Sequence, residues 1–236
     1  MNSLPVLVLR SLLFALFFYP VTALFVSTCA LTSLLSARLM RRVVRLWGFS
    51  HRWLCRIVLG QKIRIVGALP QEPMLFVFKH ESMFETIDLL CLFREPVVIA
   101  KQELVDIPGW GWVARRHGVI GLRRDDGAKA ILHLRREIGK ATGSGRPICL
   151  FPEGTRVPHG ERPPLRSGFA ALYQLLKLPV VPVAVDSGRV SPRNSFLKRP
   201  GTITYKVGEI IPPGLPRQEA EAIAQERINA LNPPVA

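Results

Sequence analysis

The chain has 236 residues, and its 32 Lys and Arg against 17 Asp and Glu give a formal net charge of +15 at pH 7. This length fits one domain with an appendage and is enough to bury a substantial core. The positive charge favours an anionic partner, which can be nucleic acid, an acidic membrane surface or a phosphorylated substrate. The four cysteines form no Cys-x-x-Cys pair, so we expect neither a zinc site nor a catalytic thiol, and we expect the active domain to face a reducing compartment.

The first informative segment runs from Ser11 to Ala37, which holds no charged residue. An apolar run of about 20 residues can span a bilayer. Tyr19-Pro20 interrupts the run, and proline removes a backbone donor and kinks or ends a helix. Two interpretations stay open, a single kinked spanning helix and a re-entrant hairpin confined to one leaflet, and we favour the hairpin. The main alternative is a cleaved signal peptide, whose basic n-region would close at Arg10.

The residues that follow the apolar segment argue against export. Six arginines come directly after it, at Arg38, Arg41, Arg42, Arg45, Arg52 and Arg56. Positive charge beside a membrane segment marks the cytoplasmic side. Steps of three, four and seven residues place most of these arginines on one helical stripe. The pattern predicts a helix in the headgroup layer, with arginines on anionic lipids and with Trp47 and Trp53 at the boundary. The alternative is a solvated basic helix packed on the domain.

After Gly60 the pattern changes to short β-rich runs that alternate with helical stretches. The predicted strands are Ile63–Val66, Met74–Phe78, Val97–Ala100, Val119–Leu122, Ile148–Phe151, Val180–Val185 and Thr202–Val207. The predicted helices are Met83–Phe93, Gly127–Gly139, Ser167–Leu176 and Arg217–Leu231. This alternation predicts an α/β domain over residues 60–236, with a mixed and largely buried sheet flanked by helices. Residues 1–59 form the predicted membrane-embedded helical segment and the basic interfacial helix.

The first stretch with chemical character is Lys79–Glu85, which follows an apolar strand. His80 is therefore expected at the carboxyl end of that strand, where α/β proteins place ligand sites. A His-Glu-x-x-His zinc motif is excluded because Phe84 stands where the second histidine would be. If the chain turns between His80 and Glu85, the carboxylate can hold one imidazole nitrogen protonated and leave the other to accept a proton. The alternative is a capping box, with Ser82 as N-cap and Glu85 at N3.

This stretch resembles the first block of the glycerolipid acyltransferases, in particular the 1-acyl-sn-glycerol-3-phosphate (lysophosphatidic acid) acyltransferase family, which carries Asn-His-x-Ser-x-x-Asp. Lys79 stands in the place of the asparagine and Glu85 in that of the aspartate. Gly118–Arg124 resembles the family's second block, Gly-x-Ile-x-x-Asp-Arg. The resemblance puts Arg124 in the place of the phosphate-binding arginine and Arg123 in that of the aspartate. The alternative is a solvated basic pair after a strand.

The third block is the most specific, because Phe151–Arg156 matches the family's Phe-Pro-Glu-Gly-Thr-Arg. Gly154 permits the backbone to approach a ligand closely. Thr155 and Arg156 can donate hydrogen bonds to phosphate oxygens. Glu153 can accept a hydrogen bond from a hydroxyl group or hold Arg156 in place.

Two further segments are similar to family members. Leu178–Ala184 resembles the closing apolar block, to which we assign packing. Lys101 lies between the first two blocks and can supply positive charge to phosphate or to a developing oxyanion, and a surface lysine is the alternative. The blocks stand in the family's order along the chain.

The resemblance implies an acyltransferase that moves a fatty acyl group from acyl-CoA or acyl carrier protein to the free sn-2 hydroxyl of lysophosphatidic acid. His80 would be the base, Arg124 and Arg156 would hold the phosphate, backbone amides near Gly154 would stabilise the oxyanion, and no metal or cofactor is expected. The alternatives are another lysolipid acceptor, and a non-catalytic lipid-binding member in which Glu85 is only a cap.

The expected location is a membrane, the bacterial inner membrane, with the catalytic domain on the cytoplasmic face. Anionic membrane lipids are expected partners of the arginine-rich helix. Nucleic acid is not an expected partner, because the arginines gather beside the apolar segment and in the blocks rather than alternating with aromatic residues on one face.

Overall fold

The computed structural model describes residues 3–122 and 127–232, without the side chains of residues 127–133. The helices are α1 (Leu4–Leu35), α2 (Ala37–Ile57), α3 (Phe84–Leu92), α4 (Gln102–Val105), α5 (Trp110–His117), α6 (Gly127–Gly143), α7 (Ser167–Leu176) and α8 (Arg217–Ile228). The strands are β1 (Gln61–Val66), β2 (Leu75–Phe78), β3 (Val97–Lys101), β4 (Ile120–Leu122), β5 (Ile148–Leu150), β6 (Val180–Val185) and β7 (Gly201–Val207).

The first two helices, α1 and α2, are antiparallel, and the chain changes direction between them at Ser36. The Ser36 hydroxyl accepts a hydrogen bond from the Arg38 N–H at 3.2 Å and so caps α2. Trp47 of α2 donates its indole N–H to the Thr22 hydroxyl of α1 at 3.0 Å. α1 continues through Pro20, so the chain does not reverse at this proline. Proline removes one helical hydrogen bond, and here the helix continues because residues on both sides of it pack on α2 and on the sheet domain.

α1 is the one helix among the described residues that is long and apolar enough, by length and composition alone, to cross a membrane. It is not separate from the rest of the fold, because Phe14 and Phe18 belong to the same buried cluster as residues of the sheet. The predicted division into residues 1–59 and 60–236 stays a prediction.

α2 presents two different faces. Arg41 binds Glu95 with 2.9 Å between Nε and Oε2, and Arg52 turns inward onto α3, so these two side chains do not lie on the exposed stripe predicted for the arginines. Trp47 is half-buried against α1, whereas Trp53 is exposed. The arginines of α2 that remain exposed are Arg38, Arg42, Arg45 and Arg56.

The described strands form one seven-stranded sheet in the order β1-β7-β6-β2-β5-β3-β4. Neighbouring strands are parallel except for the antiparallel pair β6–β7. β2 therefore lies near the middle of the sheet, between β6 and β5, and its residues from Leu75 to Phe78 are buried. The predicted mixed and largely buried sheet is confirmed.

The two faces of the sheet are covered by different helices. Because side chains alternate along a strand, Phe76 and Phe78 of β2 face the layer of α1, α2 and α3, whereas Leu75 and Val77 face the layer of α6, α7 and α8. The result is a three-layer arrangement with one apolar cluster on each side of the sheet. The same alternation decides where the residues directly after β2 point.

All seven predicted strands and all four helices predicted after Gly60 are present, with ends that differ by a few residues. The sequence did not predict α4 and α5, which lie between β3 and β4. α5 is eight residues long and ends at Gly118, whose φ of +118° is in the region that favours glycine.

An ion pair with a buried carboxylate joins α2 and α3 to the sheet. Asp88 of α3 is fully buried and accepts two hydrogen bonds from Arg52 of α2, at 2.7 and 2.9 Å, and one from the Tyr205 hydroxyl of β7 at 3.0 Å. Burial raises the pKa of Asp88, and the bonds from the guanidinium oppose that shift. The carboxylate is thus stable in the interior only while Arg52 is in place.

Replacing Arg52 with methionine should destabilise the fold by about 3–5 kcal/mol, because it leaves the Asp88 charge buried without its cation. Thermal unfolding in detergent micelles measures the loss, and we expect a melting temperature lower by about 10 °C. Arg56→Met, an exposed change on the same helix, is the control and should shift stability by less than about 0.5 kcal/mol. Equal melting temperatures for the two variants would contradict this role of Arg52.

Candidate active site

Three chain segments meet at the carboxyl edge of the sheet. β2 lies between β5 and β6, and all three strands run in the same direction, so the residues that follow them come together. These segments are His80–Glu85 after β2, Phe151–Arg156 after β5, and Asp186–Arg189 after β6. The first two of these segments are the first and third blocks found in the sequence, whereas Asp186–Arg189 was not predicted.

His80 and Glu85 are in direct contact. The His80 Nδ1 lies 2.9 Å from Glu85 Oε1, and the carboxylate is fully buried while the histidine side chain keeps a small exposed fraction of 16%. The chain makes the required turn because α3 begins only at Phe84. The imidazole also stacks on the Phe151 ring, with 4.1 Å between centroids. The ring is therefore held on its Nδ1 edge and on one face.

Glu85 combines the two roles between which the sequence could not choose. Its Oε1 accepts hydrogen bonds from the N–H groups of Glu81 and Ser82, both at 2.7 Å, in addition to His80. Its Oε2 accepts one from the Ser187 hydroxyl at 2.7 Å. The Ser82 hydroxyl accepts from the Phe84 N–H at 3.2 Å, as expected of a residue that caps α3. Glu85 thus binds the start of the helix and the imidazole with the same oxygen.

This arrangement determines the tautomer of the histidine. A carboxylate beside Nδ1 keeps the proton there, which leaves the Nε2 of His80 as a hydrogen-bond acceptor. An imidazole so oriented can accept a proton from an alcohol and donate it to a leaving group. The pair has the geometry of a general base with its orienting carboxylate.

Glu153 lies inside the protein rather than on the open side of the site. Its Oε1 accepts a hydrogen bond from Lys79 Nζ at 2.6 Å, and its Oε2 accepts one from the His80 N–H at 2.9 Å. Burial raises the pKa of Glu153, and the charge of Lys79 opposes this shift. Both carboxylate oxygens are thus engaged within the protein, which does not match the predicted roles of accepting a substrate hydroxyl or holding Arg156.

Gly154 and Thr155 form the turn at the end of this block. Gly154 has a φ of +67°, and its N–H donates to the Phe151 carbonyl at 3.0 Å. An amide that stabilises an oxyanion must therefore come from a neighbour of Gly154. Thr155 is exposed. The turn thus has the open surface that its predicted phosphate contacts require.

Arg156 lies among other cations. Its carbonyl accepts a hydrogen bond from the Arg193 guanidinium. Burial lowers the pKa of Lys198, and the positive charge of Arg156 lowers it further. Arg193 and Lys198 belong to the basic segment before β7, which the sequence analysis did not single out. The sequence indicates this segment only through its basic residues, Arg189, Arg193, Lys198 and Arg199.

Of the other two predicted binding residues, the structure describes only Lys101, which lies farther along the sheet. Lys101 ends β3, which β5 separates from β2, and its side chain is exposed. Arg124 follows β4 and lies outside the described residues. The structure therefore brings His80, Glu85 and the Phe151–Arg156 block together and leaves Lys101 two strands away.

A second histidine–carboxylate pair lies beside the first and was not predicted. Glu81 is fully buried, lies 3.0 Å from His159 Nδ1 and accepts a hydrogen bond from the Gly188 N–H at 2.8 Å. Burial raises the pKa of Glu81 to about 8, although the bond from Gly188 lowers it. Burial also lowers the pKa of His159. Glu81, which follows β2, thus contacts both the segment after β5 and the segment after β6.

Metal ligands are not grouped anywhere in residues 3–122 and 127–232, where no three His, Cys, Asp or Glu side chains come together as a possible metal site. The four cysteines are free.

Known proteins resemble this chain in sequence. The family model described as Acyltransferase matches residues 61–186. A Pseudomonas aeruginosa protein named 1-acyl-sn-glycerol-3-phosphate acyltransferase is 31% identical over 194 residues, which cover 81% of this chain and 73% of the relative. A Saccharomyces cerevisiae protein of the same name is 32% identical over 154 residues, and there the match covers 61% of this chain and only 50% of the relative.

Two more known proteins are similar to this chain, one in sequence and one in fold. A Pseudomonas aeruginosa lyso-ornithine lipid O-acyltransferase is 32% identical over 105 residues, which cover 44% of this chain and 40% of that protein. The crystal structure of the 1-acyl-sn-glycerophosphate (LPA) acyltransferase PlsC from Thermotoga maritima superposes with a TM-score of 0.71, over 94% of this chain and 96% of that one. At 22% identity this second likeness concerns the fold.

Stability should depend on pH through Glu81. Its pKa of about 8 in the folded protein lies above the ordinary value of 4.5, so between these pH values the folded state keeps a proton that the unfolded state has lost. The contribution of Glu81 to stability therefore falls as pH rises through this interval, by at most about 1.4 kcal/mol per pH unit. Glu81→Gln should remove this slope.

Melting temperatures measured from pH 5 to pH 8 test this expectation. The wild type should lose stability relative to Glu81→Gln as pH rises. Glu103→Gln, a change at an exposed carboxylate, should follow the wild type. A constant difference between wild type and Glu81→Gln across this range would show that Glu81 does not titrate there.

Proposed function

The chain belongs to the acyltransferase family, and from that premise we propose that it transfers a fatty acyl group from acyl-CoA or acyl carrier protein to the free sn-2 hydroxyl of lysophosphatidic acid, which gives phosphatidic acid. The observation that carries the proposal is the oriented His80–Glu85 pair at the carboxyl edge of the sheet. The name of the Pseudomonas aeruginosa relative, over 73% of its length, supports the choice of acceptor.

The proposed reaction is a direct transfer. His80 Nε2 accepts the proton of the lysolipid hydroxyl, and the oxygen attacks the thioester carbonyl. The tetrahedral intermediate collapses as the carbon–sulfur bond breaks, and the imidazolium returns its proton to the leaving thiolate. The buried Glu85 carboxylate stabilises the imidazolium while it exists. Backbone amides next to Gly154 stabilise the oxyanion, and removal of one such donor typically costs about 3–4 kcal/mol.

The phosphate of the acceptor is assigned to the cations around the third block. Thr155 and Arg156 are the phosphate ligands predicted from the sequence, and we add the nearby Arg193 and Lys198 to them. An anion placed among these side chains would reduce their mutual repulsion and align the hydroxyl group with His80. The proposal keeps Arg124 as a phosphate-binding residue. It also keeps Lys101 as a source of positive charge for the phosphate or the oxyanion.

A lyso-aminolipid is the second candidate acceptor. The observation in its favour is the similarity to a lyso-ornithine lipid O-acyltransferase, which covers 44% of this chain. Such an acceptor offers the same hydroxyl chemistry to His80 without a phosphate monoester for the cations. The cluster around Arg156 therefore favours the phosphorylated acceptor.

The protein associates with membranes, and we propose that α1 lies in one leaflet of the bacterial inner membrane, with the catalytic domain on the cytoplasmic face. Two contacts near opposite ends of α1 support this. The Ser11 hydroxyl accepts from the Lys198 N–H at 2.9 Å, and the Ser33 carbonyl accepts from Arg116 at 3.1 Å. Along the helix, Ser11 and Ser33 are about 33 Å apart at 1.5 Å per residue, close to the hydrocarbon core's thickness of about 30 Å. A spanning helix would carry one of these contacts to the far side of the bilayer.

The exposed surfaces of both helices fit this location. Large apolar residues exposed on α1 are Leu4, Val6, Leu9, Leu12, Leu13, Leu16, Phe17, Tyr19, Leu24, Leu31, Leu34 and Leu35. On α2 an exposed apolar stripe consists of Leu39, Leu46, Phe49, Trp53 and Ile57. A cleft of about 340 Å³ is lined by five arginines and one carboxylate, Arg38, Arg41, Arg42, Arg45, Arg94 and Glu95. This excess of cations suits the headgroups of anionic lipids. A helix with this pattern lies at the membrane surface.

Cysteine labelling with an impermeant maleimide tests the topology. Ser3→Cys and Ser36→Cys, at the two ends of α1, should not react from the periplasmic side of intact spheroplasts. Ser144→Cys, exposed on the catalytic domain, is the control and should react only after the cytoplasmic face is opened. Periplasmic labelling at residue 3 or 36 with residue 144 protected would establish a spanning helix instead.

The activity is tested with purified protein, labelled acyl-CoA or acylated carrier protein, and a panel of lysolipids. We expect transfer to lysophosphatidic acid, and His80→Ala should lower turnover by a factor of about 10²–10⁴ without loss of folding, since it removes the base. Near-normal turnover of His80→Ala would refute the mechanism. Preferential acylation of lyso-ornithine lipid would refute the acceptor and keep the chemistry.

A further inference from the structure

Lys79 is a fully buried ammonium group directly beside the proposed base. Its Nζ donates three hydrogen bonds, to Glu153 Oε1 at 2.6 Å, to the Glu161 carbonyl at 2.8 Å and to Asn229 Oδ1 at 2.8 Å. An ammonium group has three protons, so its donor capacity is fully used. All three protons of this buried lysine bind protein atoms, so the side chain is held in one place and is not solvated.

The direction of Lys79 follows from the strand that precedes it. Side chains alternate along β2, so Lys79 points to the same face as Leu75 and Val77, where α8 packs. His80 points to the opposite face, where it meets Glu85 and Phe151. Two adjacent residues therefore connect the site to the two different layers of the fold.

Glu153 transmits the position of Lys79 to the base. One of its oxygens binds Lys79, and the other accepts the His80 N–H at 2.9 Å. The His80 carbonyl accepts from the Val157 N–H at 2.7 Å. Both peptide groups of His80 are thus held by the segment after β5, and Lys79 holds that segment at Glu153 and at Glu161.

The far end of the network is the C-terminal end of α8. Asn229, the residue after the helix, is buried and donates through Nδ2 to the Gln225 carbonyl at 2.7 Å, which fixes its amide so that Oδ1 faces Lys79. Asn232 donates to Asn229 Oδ1 at 3.0 Å and to the Glu161 carbonyl at 3.1 Å. The end of α8 is therefore bonded to the same segment as the ammonium group.

We propose that Lys79 and Asn229 are positioning residues, which hold the Glu153 carboxylate in the orientation that fixes the His80 backbone, so that the C-terminal end of α8 sets the geometry of the base. This inference rests on the proposed function, because it concerns turnover by His80. It assigns Lys79 a role that depends on its charge and on a residue 150 positions away.

Asn229→Ala is the first test, with Glu226→Ala, an exposed change on the same helix, as the control. Full-length protein in micelles is assayed with labelled acyl-CoA and lysophosphatidic acid. We expect Asn229→Ala to lower kcat about tenfold, with the KM values of donor and acceptor changed less than twofold and folding retained. Asn229→Asp keeps the acceptor for Lys79 but loses the donor to the Gln225 carbonyl, so it should restore only part of the activity. A rise in KM at unchanged kcat, or no difference from Glu226→Ala, would overturn the proposal.

Lys79 is tested together with Glu153, because Lys79→Met alone leaves a buried charge and is expected to unfold readily. The double variant Lys79→Met with Glu153→Gln removes both charges and should regain a melting temperature close to that of the wild type. Its kcat should stay at least tenfold below the wild type, because the neutral pair no longer orients the group that binds the His80 N–H. Recovery of turnover along with stability would show that the pair is only structural.

Failure of the positioning role and failure of the proposed function give different results. If the wild type acylates lysophosphatidic acid and His80→Ala does not, an Asn229→Ala variant of normal kcat overturns only the positioning role. If the wild type is inactive on the whole lysolipid panel, the proposed function itself fails.

Discussion

The buried carboxylate of Glu85 holds together three parts of the fold. One oxygen accepts hydrogen bonds from the His80 ring and from two backbone N–H groups at the start of α3, and the other accepts one from Ser187 after β6. A carboxylate without solvent is stable only where donors surround it. β2, α3 and β6 must therefore be in place before this charge is satisfied, and the orientation of the imidazole follows from the same requirement.

The sheet was predictable from the sequence because its signals are local. Runs such as Leu75–Phe78 and Val180–Val185 are rich in strand-forming residues and are bounded by turn residues. The course of α1 was not, since whether a helix continues through Pro20 depends on what packs around it. The short helix Trp110–His117 was missed because eight residues of mixed large apolar and basic character give no clear helical period.

The active site also combines contacts that the sequence predicts with contacts that it does not. The contact of His80 with Glu85 lies within one motif, five residues apart, and a turn between them suffices to form it. The contacts of Lys79 join it to Glu153 and Asn229, which are 74 and 150 positions away, and no pattern in one sequence relates such positions. The sequence did contain one usable sign, a charged residue at the end of a central apolar strand, which has to find partners when it is buried.

The parallel pairing of β1 with β7 has a consequence for how the protein is made. Gln61 pairs with Gly201, and Ser11 of the preceding helix bonds to Lys198, so the earliest elements of the chain find their partners among the last. Contacts so distant in sequence form late during folding. Until the ribosome has released β7, the apolar surface of α1 and the edge of β1 lack these partners and are open to aggregation. A bilayer that holds α1 during this interval would cover part of that apolar surface while the chain is made.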